Sequence, residues 1–192
     1  MKDNNIYKNV YFELYEYIKS DFARYGKKPT LFKILMHVLF GINPCFVFTF
    51  WYRLTSRKNI FNLLARVMRK KYMVKYSLFI YPETKIGYGL YLGHEIGILV
   101  APTAVIGNNC NLSQFTSIGT NHGKAATIGD NVYIGPSVCV VEDVKIGNNV
   151  TIGAGSVVVK DIPDDATAAG VPTRILNYNN PGRYVINRWE VN

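Results

Sequence analysis

From Ile80 onward an aliphatic residue recurs every six positions, usually with glycine behind it. Ile86-Gly87, Leu92-Gly93, Ile106-Gly107 and Ile118-Gly119 set the pattern, and Ile128-Gly129, Ile134-Gly135, Ile146-Gly147 and Ile152-Gly153 resume it. Val100, Leu112, Val140 and Val158 keep the count between them. A six-residue period fits neither a 3.6-residue helix nor a flat sheet. It fits a β-solenoid, in which each repeat gives one short strand and one corner. The aliphatic side chain stacks inside the coil and the small residue behind it permits the sharp turn. At three repeats per coil, the thirteen starts predict a little over four coils.

The repeat slips twice. Two extra residues enter between Ile98 and Val100, and ten residues rather than six separate Ile118 from Ile128, so that residues 120–124 must leave the coil as a loop. Loops on a rigid scaffold are natural places for chemistry. Pro163 and Pro172 are expected to end the repeats. The organisation read from the sequence is therefore a basic α-helical domain over 1–78, a β-helix over 79–162, and a closing segment with tail over 163–192. Three or four helices are expected in the first part. Ile6, Val10, Leu14, Tyr17 and Ile18 recur at helical spacing, as do Ile60, Leu63, Leu64, Val67 and Met68. The apolar run Ile34–Tyr52 is broken by Gly41, Asn43 and Pro44 into pieces too short for the roughly 20 residues of a membrane span. It reads as two buried helices joined by a turn.

Charge separates the two parts. Residues 1–78 carry 15 Lys/Arg against 4 Asp/Glu, and residues 79–192 carry 7 against 9, so the N-terminal part alone makes the chain basic. The segment 53–75 is amphipathic and rich in Lys and Arg. It suits an anionic lipid surface, a diphosphate-linked sugar or plain solvent. No nucleic-acid recognition motif accompanies the charge, so no nucleic-acid partner is expected. Cys45, Cys110 and Cys139 are odd in number and form no CxxC pair, which points to a reduced, cytoplasmic protein with no cysteine-based metal site. No secretory signal is read at the start of the chain.

Several stretches resemble the serine acetyltransferase branch of the left-handed β-helix acyltransferases, including the related enzymes of capsule and exopolysaccharide clusters. These are SDFARYG (20–26), NPCFVFTFWYRL (43–54), ETKIGYGLYLGHEIGILV (83–100), AVIGNNCNLSQFTSIG (104–119) and IGAGSVVVKDIPDDATAAGVPTRIL (152–176). The resemblance implies a left-handed parallel β-helix behind a small helical domain, and a homotrimer. It also implies that acetyl-CoA binds as acetyl donor in a groove between adjacent solenoids, with no metal.

Acetyl transfer to a hydroxyl needs a base for the proton and donors for the tetrahedral oxyanion. His94, two residues after a repeat start and at an outward-facing corner, aligns with the family's catalytic histidine. His122, in the long loop, is a second candidate, with substrate contact or loop polarity as its other readings. His37, inside an apolar helix, reads as a core histidine. For the cofactor, Gly119, Gly135, Pro136, Gly153 and Ala154 lie at coil edges that expose backbone amides. Lys160 and Arg174 follow the last coils, as phosphate contacts or as surface charges.

The resemblance has gaps. The aspartate that orients the family's histidine falls at Phe79, and the aspartate immediately before that histidine falls at Gly93. A third acidic position falls loosely on Lys28-Pro29. An α-ammonium group held away from water needs an anionic partner, so these gaps favour a sugar hydroxyl of a cell-surface polysaccharide over L-serine as acceptor, unless Glu83 or Glu95 compensates. L-serine O-acetylation is the alternative and a non-catalytic scaffold the second alternative. The end Trp189-Glu190-Val191-Asn192 lacks the isoleucine tail by which the family docks cysteine synthase, so no such complex is expected.

Overall fold

The computed structural model describes residues 3–56 and 60–190, with side chains from residue 12 onward. Ile6 and Val10, expected on the inner face of the first helix, and Arg57 and Lys58 of the basic segment therefore lie outside the described side chains.

Among the described residues four helices come first: α1 (Asp3–Ala23), α2 (Leu31–Phe40), α3 (Pro44–Thr55) and α4 (Asn62–Tyr76). The break in the long apolar run has a local cause. Gly41 ends α2 in the left-handed conformation at φ 60°, and Asn43 caps α3 by accepting from the Phe46 amide, with Pro44 in its first turn. The axes of α2 and α3 differ by 109°, and among the described residues no single helix is long and apolar enough to cross a membrane. Of these two helices α3 is the buried one. In α2 just Ile34 is buried, and its outer residues face solvent. The expectation of two buried helices fails for α2 because it packs by one narrow strip.

Five coils follow. They are β1 (Leu78–Ile80), β2 (Lys85–Ile86) and β3 (Tyr91–Leu92); β4 (Ile98–Val100), β5 (Val105–Ile106) and β6 (Asn111–Leu112); β7 (Ser117–Gly119), β8 (Thr127–Ile128) and β9 (Tyr133–Ile134); and β10 (Cys139–Val141), β11 (Lys145–Ile146) and β12 (Thr151–Ile152). The fifth is made by β13 (Val157–Val158), a parallel bridge from Ile162 to Ile146, and β14 (Thr167–Ala169). The strands stack in parallel into a first face (β1-β4-β7-β10-β13), a second (β2-β5-β8-β11) and a third (β3-β6-β9-β12-β14), which β15 (Arg174–Asn177) extends antiparallel.

The repeat residues form three buried columns. In the first, Ile80, Val100, Ile118, Val140 and Val158 pair coil to coil. All are at most 1% exposed. Burying each such side chain stabilises the fold by about 1.5–3 kcal/mol. Pro163 does not end the solenoid, contrary to expectation. It occupies a corner after Ile162, where no ladder hydrogen bond is asked of it, and the coil runs on to Ala169. At the corners glycine is a steric requirement: a Cβ on Gly129 would lie 2.6 Å from Asn148 Oδ1 and 2.9 Å from the Asn148 nitrogen.

The helices grip the first coil through buried polar contacts. Asp21 of α1 and Arg53 of α3 form a two-pronged ion pair, Nε to Oδ2 at 2.8 Å and Nη2 to Oδ1 at 2.9 Å. Arg53 also donates to the Ile86 and Gly87 carbonyls, and the Leu90 amide donates to Asp21. Ser20 accepts from the Gly89 amide, and Arg24 donates to the Gly89 carbonyl and to Asn111 Oδ1. Every donor of the corner 87–90 that meets the helices is matched by one of these groups, as buried polar atoms require.

Candidate active site

The three faces define three edges, and the edges sort the candidate residues. The edge between the third and first faces carries His94 on the first coil, Ser113 and Gln114 on the second, Gly135 and Pro136 on the third, and Gly153 and Ala154 on the fourth. At a strand spacing of about 4.8 Å, this column runs about 14 Å from His94 to Gly153. The edge between the first and second faces carries Gly119, His122 and Lys160. Arg174 opens β15, beside the third face. His94 and His122 therefore occupy different edges of one chain, which does not bring them together.

The two residues of the first slip, expected between Ile98 and Val100, enter instead at the His94 corner. Residues 93–97 separate Leu92 from Ile98, where only 113–115 separate Leu112 from Thr116, the residue that follows in register on the next coil. The swollen corner holds His94 at φ 64°, in the left-handed region, with its side chain exposed. Two contacts fix it. Cys45 Sγ donates to the His94 carbonyl at 3.3 Å, and the Tyr25 hydroxyl donates to the Leu92 carbonyl at 3.3 Å. Burial pushes the Cys45 thiol up to about 12, so this cysteine is a neutral donor and not a nucleophile paired with the histidine.

His94 stands between two clefts divided by Tyr25 and Tyr91. One, of about 400 Å³, is lined by Arg24, Asn111, Ser113, Tyr133 and, from the C-terminal tail, Tyr184. The other, of about 430 Å³, is lined by Asn43, Cys45 and Glu95. Both fall in the size range of small-molecule sites. Of the two carboxylates offered as replacements for the family's aspartates, Glu95 lines a His94 cleft. Glu83 lies instead with Tyr17, Tyr52 and Lys85 in a third cleft. The tail is not loose: Tyr184 packs against Tyr133 with ring centroids 4.9 Å apart, and Asn111 donates to the Tyr184 carbonyl at 3.2 Å.

The second slip gives the His122 loop, which one carboxylate organises. Glu142, in the corner one coil below, accepts from Thr120 Oγ1 at 2.8 Å and from the Asn121 and His122 amides. The Thr120 hydroxyl above all, with the Asn121 amide, lowers the pKa of Glu142. Thr120 accepts in turn from the His122 amide at 3.1 Å. His37 is half-buried and bonds to Lys27 Nζ and the Lys33 carbonyl, a structural role.

Of the three glycines proposed for the cofactor, Gly135 and Gly153 have packing reasons of their own, while a Cβ on Gly119 would meet only Ser117 Oγ at 4.0 Å. A Cβ on Gly135 would come within 2.8 Å of the Ile152 carbonyl, and one on Gly153 within 2.9 Å of the Ala169 Cβ. Their absence of side chain is explained by coil stacking before any ligand is invoked. Ala154, Lys160 and Arg174 are exposed and available to a ligand. Among the described residues no cluster of His, Cys, Asp and Glu could hold a metal ion.

Reading the sequence passed over the cleft walls. Tyr91, Asn111 and Tyr133 pair in register on the third face. Each immediately precedes an inward repeat residue, so alternation turns all three outward in one column. Counting three repeats per coil would have placed them beside His94. The same count sets Glu142 under Thr120, since Val141 pairs with Gly119.

The bacterial transferase hexapeptide family (six repeats) matches residues 125–160. Serine acetyltransferase 3, mitochondrial, of Arabidopsis thaliana is 36% identical over 118 residues, 59% of this chain and 30% of that protein. The serine acetyltransferase of Haemophilus influenzae is 32% identical over 124 residues, 62% of this chain and 46% of that protein. The chain thus spans less than half the length of these relatives. Among solved structures, Neisseria gonorrhoeae serine acetyltransferase in complex with serine superimposes with a TM-score of 0.71 at 29% identity, covering 88% of this chain and 73% of that one. A serine acetyltransferase in complex with CoA gives 0.70 at 26% identity, covering 90% and 74%. All four of these proteins are named serine acetyltransferases. The chain is thus similar to serine acetyltransferases over its helices and its parallel β-solenoid, and the hexapeptide-repeat match lies within that solenoid.

Proposed function

We propose that the chain is an acetyl-CoA-dependent O-acetyltransferase with L-serine as acceptor and His94 as general base. The observation that carries the reading is the edge column. An exposed histidine pinned from two sides stands at its top, and the small residues Ser113, Gly135, Gly153 and Ala154 follow it on the coils below. His94 takes the proton of the acceptor hydroxyl as its oxygen attacks the thioester carbonyl. The tetrahedral intermediate then expels the CoA thiolate, and the proton passes from His94 to sulfur. Glu95, lining the same cleft as His94, is the available partner for the ammonium group of serine.

Trimer assembly belongs to this proposal. Gly119, His122 and Lys160 share an edge that His94 does not, so they join its site only if a second copy brings that edge alongside. A cytoplasmic setting suits acetyl-CoA and the three free cysteines.

A second reading, transfer to a sugar hydroxyl, draws on the other His94 cleft. Its walls are four tyrosines with Asn111, Ser113 and Arg24, and it contains no carboxylate. Aromatic faces with amide and hydroxyl groups suit a neutral polyol better than a zwitterion.

Release of CoA from acetyl-CoA, followed with a thiol reagent, tests both readings. Serine-dependent release that falls 10²–10⁴-fold in His94→Ala is the expected outcome. Release with saccharides and none with serine selects the second reading. Activity surviving His94→Ala removes the mechanism.

A further inference from the structure

Between Asp21 and Glu83 the sequence has no acidic residue and twelve Lys or Arg. The same stretch carries the largest set of exposed apolar side chains. On α2, Phe32 is 72% exposed, Leu39 77% and Phe40 69%; on α4, Leu63 is 79% exposed, Val67 60% and Val74 63%. Both sets lie opposite the packed strips. Ile34 and Val38 turn α2 to the helical core, and Ala65, Met68 and Tyr72 do so for α4. The two helices meet where Gly41 approaches the Tyr72 hydroxyl. On α4 the apolar residues alternate with exposed Arg66, Lys70, Lys71 and Lys75. A folded monomer rarely leaves so much apolar surface to water without a use for it.

We propose that the outer strips of α2 and α4 dock on an anionic phospholipid bilayer. Apolar side chains enter the headgroup boundary while the interleaved cations meet lipid phosphates and carboxylates, the pairing of forces that interfacial helices use. Charge decides the occupant. A second copy meeting this face across a two-fold axis would bring the same lysines against one another, and no carboxylate between residues 22 and 82 could neutralise them. The lipid surface supplies the missing sign. The face also runs up to the site: Ile42, 56% exposed, directly precedes Asn43, which lines the Glu95 cleft beside His94. Docking does not depend on which acceptor that cleft takes.

The test is flotation of the full-length chain with vesicles of phosphatidylcholine alone or with phosphatidylglycerol added. Binding is expected only to the anionic vesicles and is expected to weaken as salt rises. Lys70→Gln/Lys71→Gln/Lys75→Gln should lower affinity about a hundredfold, at close to fivefold per charge. Phe32→Ser/Leu39→Ser/Phe40→Ser should lower it at least about tenfold. All six residues are exposed, so far-UV circular dichroism of both variants should match the parent. Equal binding to neutral vesicles overturns the proposal, as does binding that either triple substitution leaves unchanged. It is also overturned if the chain ignores vesicles but self-associates with concentration and the apolar substitutions abolish that association, because a second copy then covers the face.

Discussion

Replacing Asp21 by alanine strikes the contact that couples the helices to the catalytic coil. The carboxylate is 1% exposed and the Arg53 side chain 5%. Removing one partner of a buried pair costs about 3–5 kcal/mol, mostly from the charge left behind. Two features set the value here. The Leu90 amide also loses its acceptor, which adds to the cost. Against that, Arg53 keeps the Ile86 and Gly87 carbonyls and lines a cleft with Tyr17 and Ser56. The two corrections oppose each other, and a loss of about 3 kcal/mol is expected. Trp51, packed in the helical core, reports the transition by fluorescence during urea unfolding, in a Trp189→Phe background that silences the tail. The double variant Asp21→Ala/Arg53→Met should recover most of the loss, since an apolar replacement strands no charge. A single-variant cost below about 1 kcal/mol, or a double variant no better than the single, would refute the reasoning.

Other outcomes follow from single contacts. Gly129→Ala forces a Cβ against Asn148 backbone and side chain, and should destabilise by about 1–3 kcal/mol in the same unfolding assay. Gly155→Ala, where nothing lies within 4 Å but φ is 69°, should cost about 1–2 kcal/mol through the backbone alone. Because the pKa of Glu142 is lowered by the folded loop, the order it lends to residues 120–122 is complete above the unfolded value of about 4.3. That order is lost as pH falls through the lower folded value. Amide exchange at Asn121 and His122 should therefore accelerate in acid beyond its intrinsic rate, and Glu142→Gln should already show fast exchange at neutral pH. Tyr184→Ala removes one wall of the tyrosine-lined cleft. It should raise KM for a sugar acceptor more than it lowers kcat, and should leave turnover of serine unchanged if serine occupies the Glu95 cleft.

The solenoid was legible because each repeat residue has one fate: Ile80, Val100, Ile118 and Val140 can only stack inward when the period is six. Its end was not legible. Proline reads as a stop, but a corner needs no ladder donor, so Pro163 passes and Ile162 and Ala168 complete a fifth coil. His94 stood out from its corner position and the resemblance together. The tyrosine wall did not, because Tyr184 arrives from a tail without periodicity, and only the fold sets it 4.9 Å from Tyr133. The clamp around Asp21 and Arg53 was equally hidden, since 32 residues separate two partners that no pattern links.

The edges of the solenoid give the strongest constraint on assembly, and they make it measurable. A coil repeats its three edges without exchange, so a residue on one edge of a chain stays on that edge in every coil. If His94 and His122 serve one site, the two histidines come from different copies. Suppose His94→Ala and His122→Ala chains, each impaired alone, are unfolded together in equal amounts and refolded. In a randomly mixed trimer, a site is whole when the copy giving His94 is of one kind and the copy giving His122 of the other. About a quarter of sites meet that condition, so about a quarter of parental activity should return. A site built within one chain regains nothing on mixing, because every chain carries a lesion. Full activity of His122→Ala by itself would show that the loop histidine has no part in the chemistry. The exchange would then be repeated with Lys160→Ala, which lies on the same edge and should weaken acetyl-CoA binding instead of turnover.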